Sequence, residues 1–181
     1  MAIRAGALAD STLISRTLGS SPWYLVATPG YLKKRGHPRS PEDLKNHDCM
    51  FLLDHGAARA AAHRFGAGRN PVDLRLDNGD ISVHVALFAR LIVTDREILQ
   101  TVATAGLGVA LLPAFLSVKD LCAGRLKRVL PEWNHPSTPV HVVYPSSRQL
   151  SPIVKTFVDH LQERMTPPPW ELGPMRGRRG A

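Results

Sequence analysis

His47, Asp48 and Cys49 stand side by side, and a histidine next to a cysteine is the smallest pairing from which a thiol nucleophile and its base are built. Consecutive residues on a helix end or a strand do not face one another usefully, and no oxyanion-hole glycine motif flanks these three. The simpler reading is a helix-terminal histidine near a negative dipole end and a buried cysteine. A hydrolase acting through Cys49 and His47 is therefore only a remote alternative. His55 and His63 are the remaining partners for a metal set with His47 and Cys49, but no compact C-x-x-C or H-x-x-x-H pair anchors them, so neither metal nor cofactor is expected. Gly106-Leu107-Gly108 resembles half of a dinucleotide fingerprint, yet it follows a helix and precedes a strand, the reverse of a phosphate-cradling order. Arg4 has the fork to clamp a carboxylate, and a solvated arginine at a strand end explains it equally well. Thr94 and Asp95 stand at a helix start, where capping and ligand contact are both open. No constellation here makes an enzyme; what remains fits a binding cleft.

The elements that must position these residues centre on Leu91 to Pro113. A short β-branched strand, Ile92-Val93, leads into Thr94-Asp95 and a helix of about three turns. Thr94 is expected at the N-cap, with Glu97 completing a capping box. Ile98, Leu99, Val102, Ala103 and Ala105 form its apolar face. Gly106 supplies the left-handed stop, and the run Val109 to Leu112 is a second strand ending at Pro113. The unit places a helix N-terminus at the carboxyl end of a strand, a natural place for an anion.

Elsewhere, Met1 to Ala5 reads as the end of a strand, Ser11 to Leu18 as a polar connection and Trp23 to Ala27 as a strand. Pro29 to Arg35 is a short helix ended by Gly36, and Ser40 to Leu44 is a capped helix start. Met50 to Leu53 is a buried strand; Ala57 to Gly68 is irregular or helical. Val72, Leu74 and Leu76 alternate, as do Ile81, Val83 and Val85, with Asn78-Gly79 between them, a hairpin signal. Pro113 opens a helix with Phe115, Leu116, Leu121 and Cys122 toward the core and Gly124 as its stop. Leu126 to Leu130 and Val140 to Tyr144 are strands on either side of a proline-bearing crossover. Ser151-Pro152 opens the last helix, with Ile153, Phe157 and Leu161 on its apolar face and Lys155 able to pair with Asp159. The alternation of strands and helices predicts an α/β fold.

Bulk properties exclude several classes. The 181 residues, 44% hydrophobic and 21% charged, suffice for one domain or two small lobes. Of the net +8, the tail from Thr166 supplies +2 (Arg176, Arg178 and Arg179 against Glu171), and the other basic residues are scattered. Specific nucleic-acid binding by this chain is not expected. Cys49 and Cys122 sit in no metal or redox spacing, so free thiols are expected. No apolar signal segment precedes Asp10, and the run Gly106 to Leu116 is too short to span a bilayer. A cytoplasmic location with no membrane partner is the expectation.

An ordered set of short motifs adds a family. Ala2-Ile3-Arg4-x-Gly6, Asp10-Ser11-x-Leu13 and Leu25-Val26-Ala27-x-Pro29-x-Tyr31-Leu32 lead into Gly36-x-Pro38, Pro41-x-Asp43-Leu44 and His47. Val93-Thr94-Asp95, Ala105-Gly106-Leu107-Gly108-Val109-Ala110, Leu112-Pro113, Gly124-x-Leu126, Val143-Tyr144-Pro145, Leu150-Ser151-Pro152 and Phe157-Val158-Asp159 follow in register. Together they resemble the effector-binding domain of LysR-type transcriptional regulators, over nearly everything from Ala2 to Leu161; Ala57 to Arg90 matches least.

The resemblance implies a type 2 periplasmic-binding-protein-like fold, two α/β lobes with a small effector held in the cleft, and the helix start at Thr94 with Arg4 points to an anionic one. Residues 1–22 and 138–165 would be a remnant of lobe one, 23–137 a nearly complete lobe two, and 166–181 a disordered tail. It implies ligand contacts from Thr94, Asp95 and Pro113 on the second lobe and from Arg4, Gly6 and Ser11 near the hinge. It also implies a homo-oligomer, dimer or tetramer, that meets DNA through a helix-turn-helix not present in these residues. The expectation is thus an N-terminally truncated effector domain; a stand-alone solute-binding protein is the alternative.

Overall fold

The computed structural model describes residues 1–6, 13–53, 70–79, 81–145, 152–166 and 168–171. Ser11, His55, His63 and the whole of Ala57 to Gly68 lie outside the described residues. The chain divides into two compact units, Met1–Ser21 with Ser137–Ala181, and Pro22–Pro136.

In the first unit, β1 (Ala2–Ala5) pairs antiparallel with β8 (His135–Pro145), Ala2 opposite Val143 and Ala5 opposite Val140. The amino half of β2 (Leu13–Ala27) belongs here too: the segment expected as a polar connection is strand from Leu13 onward. Its alternation is masked because only one face is covered. Leu18 is buried with Val140, Val142, Tyr144 and Val158, whereas Ile14 is exposed. The last helix, Pro152–Arg164, packs through Val154, Val158 and Leu161. Ile153 and Phe157, expected inward, face out at 79% and 45% exposure, because Val154 and Val158, one position further on, take the covered face. Asp159 is engaged by Arg16 at 2.9 Å rather than committed to Lys155, and Arg16 also reaches Gln162. Residues 168–171, expected within a disordered tail, are held: the Trp170 indole donates to the Ser20 carbonyl at 2.9 Å and packs on the cluster.

In the second unit the carboxyl half of β2 leads to α1 (Pro29–Arg35), a 3-10 turn (Pro41–Asn46), β3 (Cys49–Leu52), the hairpin β4 (Asn70–Asp77) and β5 (Ser82–Val93), α2 (Arg96–Thr104), β6 (Val109–Pro113), α3 (Ala114–Cys122) and β7 (Lys127–Arg128). The sheet runs β2-β6-β3-β5-β4, with β7 on the other side of β2. β3 is parallel to both β5 and β6, whereas β2 is antiparallel to β6 and β4 to β5. The hairpin forms as its alternation requires, burying Val72, Leu74, Leu76 and Val85 and turning at Gly79 with φ 94°. Ile81 falls in the turn and is exposed. α1 starts with Thr28 Oγ1 accepting from Tyr31 N, and Gly36 at φ 89° closes it by donating to the Leu32 carbonyl.

Two glycine positions decide the packing. Gly106, at φ 77°, ends α2 as expected. Gly108 is required by space: a Cβ there would lie 1.9 Å from the Asp48 carbonyl oxygen, which accepts from Val109 N at 2.9 Å. The Gly-Leu-Gly run is a helix stop followed by a close strand approach rather than the strand-to-helix loop of a dinucleotide fingerprint. In α3 the expected inward residues Phe115 and Cys122 are exposed; Ala114, Ser117 and Asp120 are buried instead. The polar face turns inward because Asp120 has partners there. Its carboxylate accepts from Gln100 Nε2 at 2.7 Å and from Arg125 Nε at 2.7 Å, while Gln100 also donates to the Leu116 carbonyl.

His135 is 8% exposed, its Nδ1 is 2.9 Å from the Arg75 carbonyl and its ring lies edge-on to Trp23. Burial pushes its pKa below the ordinary 6.5, against the raising effect of that carbonyl and of Asp77. Burial, helped by Arg35, shifts His47 the same way.

Two predictions follow from this packing. Gly108→Ala should cost about 3 kcal/mol by forcing β3 from β6, read as a lower urea midpoint, whereas Gly30→Ala, where a Cβ meets nothing within 4 Å, should be neutral or slightly stabilising. A depressed imidazole pKa means that the unfolded chain binds the proton more readily, so the contribution of His135 is complete above 6.5 and is lost as pH falls through the folded value. Urea midpoints should therefore drop between about pH 7.5 and about pH 5.5, and less so in His135→Gln; an equal drop in both proteins would refute the assignment to His135.

Candidate functional site

Parallel strands end in register. Leu52 lies opposite Val93, and Met50 opposite Ala110 places Leu52 level with Leu112. The Leu53 amide donates to the Val93 carbonyl at 2.8 Å, extending that alignment one residue. Thr94-Asp95 and Pro113 therefore leave the sheet at one carboxyl edge, from β5 and β6 on the two sides of β3. Such an edge is where α/β sheets expose loop termini and helix starts to ligands.

Thr94 is exposed and is not the cap. Asp95 is: its φ of −109° and ψ of 133° are extended, and its Oδ1 accepts from Glu97 N at 2.7 Å and Ile98 N at 3.0 Å. The expected Thr94–Glu97 box is displaced by one residue because aspartate reaches two amides where threonine reaches one. Those two amides are thus occupied by a carboxylate of the chain itself, and this helix start is not an open anion seat. Ile98, assigned to the apolar face, is 53% exposed, and the buried face is Leu99 and Ala103. Thr94 and the second oxygen of Asp95 remain at the surface of the edge.

Pro113 is buried, pairs opposite Trp23 and serves as the residue preceding α3, with φ −64°. Its carbonyl is 3.3 Å from Ser117 Oγ, which donates. The Gln100–Asp120–Arg125 network holds α2 to α3 and so fixes the helices that follow both edge segments. Sequence reading missed it; the available signal was one acid, Asp120, inside the apolar run of α3.

Arg4 and Gly6 belong to the first unit. Arg4 is exposed on β1 opposite His141, and Gly6, at φ 107°, donates its amide to the Pro139 carbonyl at 2.9 Å. The structure brings Thr94, Asp95 and Pro113 to one edge of the second unit; Arg4 and Gly6 are placed in the other unit.

In the His47-Asp48-Cys49 run the thiol and the imidazole are each engaged with other partners. Cys49 Sγ is buried, donates to the Leu44 carbonyl at 3.4 Å, and has its pKa pushed up to about 12 by burial and then by Asp48. His47 Nδ1 is 3.2 Å from the Tyr31 hydroxyl, which also accepts from the Asp48 amide at 3.0 Å. Among the described residues, no group of three or more His, Cys, Asp or Glu is placed to hold a metal ion, and no helix is long and apolar enough to cross a membrane.

The chain matches the family model of the LysR substrate binding domain over residues 1–166. It is 32% identical over 166 residues to the HTH-type transcriptional regulator CrgA of Neisseria meningitidis serogroup C, covering 91% of this chain and 51% of that protein. It is 33% identical over 162 residues to the uncharacterized HTH-type transcriptional regulator YhjC of Escherichia coli, covering 88% and 50%. The chain thus spans about half the length of the curated relatives it matches. Among solved structures, the CrgA regulatory domain superposes with a TM-score of 0.70 at 28% identity, covering 90% of this chain and 73% of that one. The cumene-hydroperoxide-treated regulatory domain of AphB from Vibrio vulnificus gives 0.69 at 25% identity, covering 88% and 72%. The α/β sheet of this protein is therefore the periplasmic-binding-protein-like sheet of such regulatory domains, and the chain belongs to the LysR substrate-binding family, the effector-binding domain of LysR-type transcriptional regulators.

Proposed function

We propose that this domain senses a small molecule at the carboxyl edge of its second unit, with Thr94 and Asp95 as its polar contacts and Pro113 as part of its apolar floor. The alignment of β5, β3 and β6 carries this reading, because it brings two loop termini separated by some twenty residues of chain to one rim. The free oxygen of Asp95 and the Thr94 hydroxyl favour an effector that offers hydrogen-bond donors. An anionic effector would have to draw its countercharge from elsewhere, since Asp95 already fills the helix amides.

In the larger regulator the consequence is transcriptional. An effector that binds one conformation better shifts the population toward it, and in a homo-oligomer that bias reaches a DNA-binding segment. This chain would meet DNA only through such a segment. The regulatory family favours this reading over a stand-alone solute-binding protein or a catalyst.

Calorimetry on the chain with a panel of neutral, anionic and cationic aromatic and hydroxy compounds tests the site. Asp95→Asn keeps a good helix cap while removing the charge, so its melting temperature should hold while the affinity of the best binder falls at least roughly fivefold, worth about 1 kcal/mol. Thr94→Val should weaken binding in the same direction. If both variants bind the best compound as the parent does, the carboxyl edge is not the effector site.

A further inference from the structure

The opposite, amino edge of the same three parallel strands carries a groove of about 550 Å³, built entirely from the second unit. Its residues come from four places: Thr28 and Lys34 with Arg35 around α1, Asp48 just before β3, Arg90 on β5, and Leu107 between α2 and β6. The size lies in the range of small-molecule sites, roughly 300 to 1,000 Å³. Its charge is lopsided, with Lys34, Arg35 and Arg90 against the single carboxylate of Asp48.

That carboxylate is shared. One oxygen lies 3.1 Å from Arg90 Nη1, the other 3.8 Å from Arg35 Nη2, so the two guanidinium groups approach one carboxylate from two sides. Both arginines are about half exposed, and Asp48 keeps 29% of its side chain accessible. The Asp48 backbone is fixed independently, its amide to the Tyr31 hydroxyl and its carbonyl to Val109 N, so the side chain is free of any role in holding β3. Tyr31 is itself buried, and its hydroxyl is already shared with His47. The positive field of Arg35 is felt there, since it adds to burial in lowering the pKa of His47. Beside the cations lies an apolar wall, Leu107 at 42% exposure with Ala105 and Gly106.

We propose that this groove is a second ligand site, distinct from the carboxyl edge, that takes a small organic anion: a carboxylate or phosphate carried on an apolar body. The head group bridges Arg35 and Arg90 in place of, or beside, Asp48, Lys34 adds a third charge, and the body lies on Leu107. Planar guanidinium forks suit both oxyanions. Asp48 acts as an internal competitor that holds the Arg90 fork when the groove is empty, while Arg35 Nη2 donates to the Asn46 carbonyl at 3.4 Å. The inference does not rest on the effector site proposed above, since no residue is common to the two.

Amide chemical-shift titrations of the whole chain at low salt, with benzoate, phenyl phosphate and benzyl alcohol as probes, test it. Benzoate or phenyl phosphate should shift the amides of Gly30, Gly106 and Leu107, and benzyl alcohol should not; a larger response to one of the two anions identifies the preferred head group. Arg90→Gln should weaken binding roughly tenfold, the weight of one charge-assisted pair, and Lys34→Gln, a surface change that leaves the fold intact, should weaken it less. Asp48→Asn should tighten it, and Asp95→Asn should leave it unchanged. Equal binding of benzyl alcohol, unchanged binding in both Arg90→Gln and Lys34→Gln, or loss of binding in Asp95→Asn would each overturn the proposal.

Discussion

Much of the second unit depends on one backbone oxygen. The carbonyl of Asp48 accepts from Val109 N and occupies the space where Gly108 would carry a Cβ, so β3 and β6 approach at that point more closely than any other residue would allow. From that contact the parallel register runs outward, Cys49 level with Val109 and Met50 with Ala110. At one end it levels the exits of β3, β5 and β6, which puts Thr94, Asp95 and Pro113 on a common rim. At the other end it fixes Asp48 itself, whose side chain stands between Arg35 and Arg90. A single close approach therefore sets the geometry of both edges.

The helices that flank this seam are held by a second, polar constraint. Asp120 is 4% exposed and would be costly alone, but Gln100 and Arg125 satisfy its two oxygens, and its backbone carbonyl accepts from Arg125 N at 2.9 Å and Leu126 N at 3.2 Å. A satisfied buried network of this kind specifies one packing of α2 on α3, since sliding either helix leaves a carboxylate without partners. An apolar contact between the same helices would tolerate small shifts at little cost. The polar choice therefore protects the orientation of the two segments that open onto the carboxyl edge.

Local chemistry made much of this legible. Asn78-Gly79 between two alternating runs has few structural solutions, and Gly36, Gly106 and Gly124 stop helices at positive φ because other residues resist it. The misses share a physical cause, namely that the deciding partner is distant in sequence. Leu13 to Leu18 carries too few apolar residues to look like a strand, yet it pairs, because backbone hydrogen bonds need no particular side chain. The cap moved from Thr94 to Asp95 through a competition between adjacent residues that spacing alone does not resolve. The inward face of the last helix is Val154 and Val158 because those residues meet Val140 and Val142, while Ile153 and Phe157 match the same period one step round. The groove is the extreme case: Lys34, Asp48, Arg90 and Leu107 are brought together only by the sheet order. The family resemblance supplied the fold where such long-range pairing hides it from periodicity.

The two edges are also joined by one rod. α2 has nine residues, so it is about 14 Å long at 1.5 Å per residue. It begins at Asp95 on the carboxyl rim and ends at Ala105 and Gly106, which line the groove. At that end a Cβ on Gly106 would lie 3.0 Å from Thr28 Oγ1, so α2 is seated closely on the residue that caps α1. The strands between the edges are pinned by the Gly108 contact, and α2 is held to α3 by the Gln100–Asp120 bond, so both edges sit on one fixed frame. The two proposed ligands would therefore meet opposite ends of an element that the Gln100–Asp120 bond holds in one position, which keeps the sites separate. Coupling between them would require that bond to give, and its free energy would be equal in both directions.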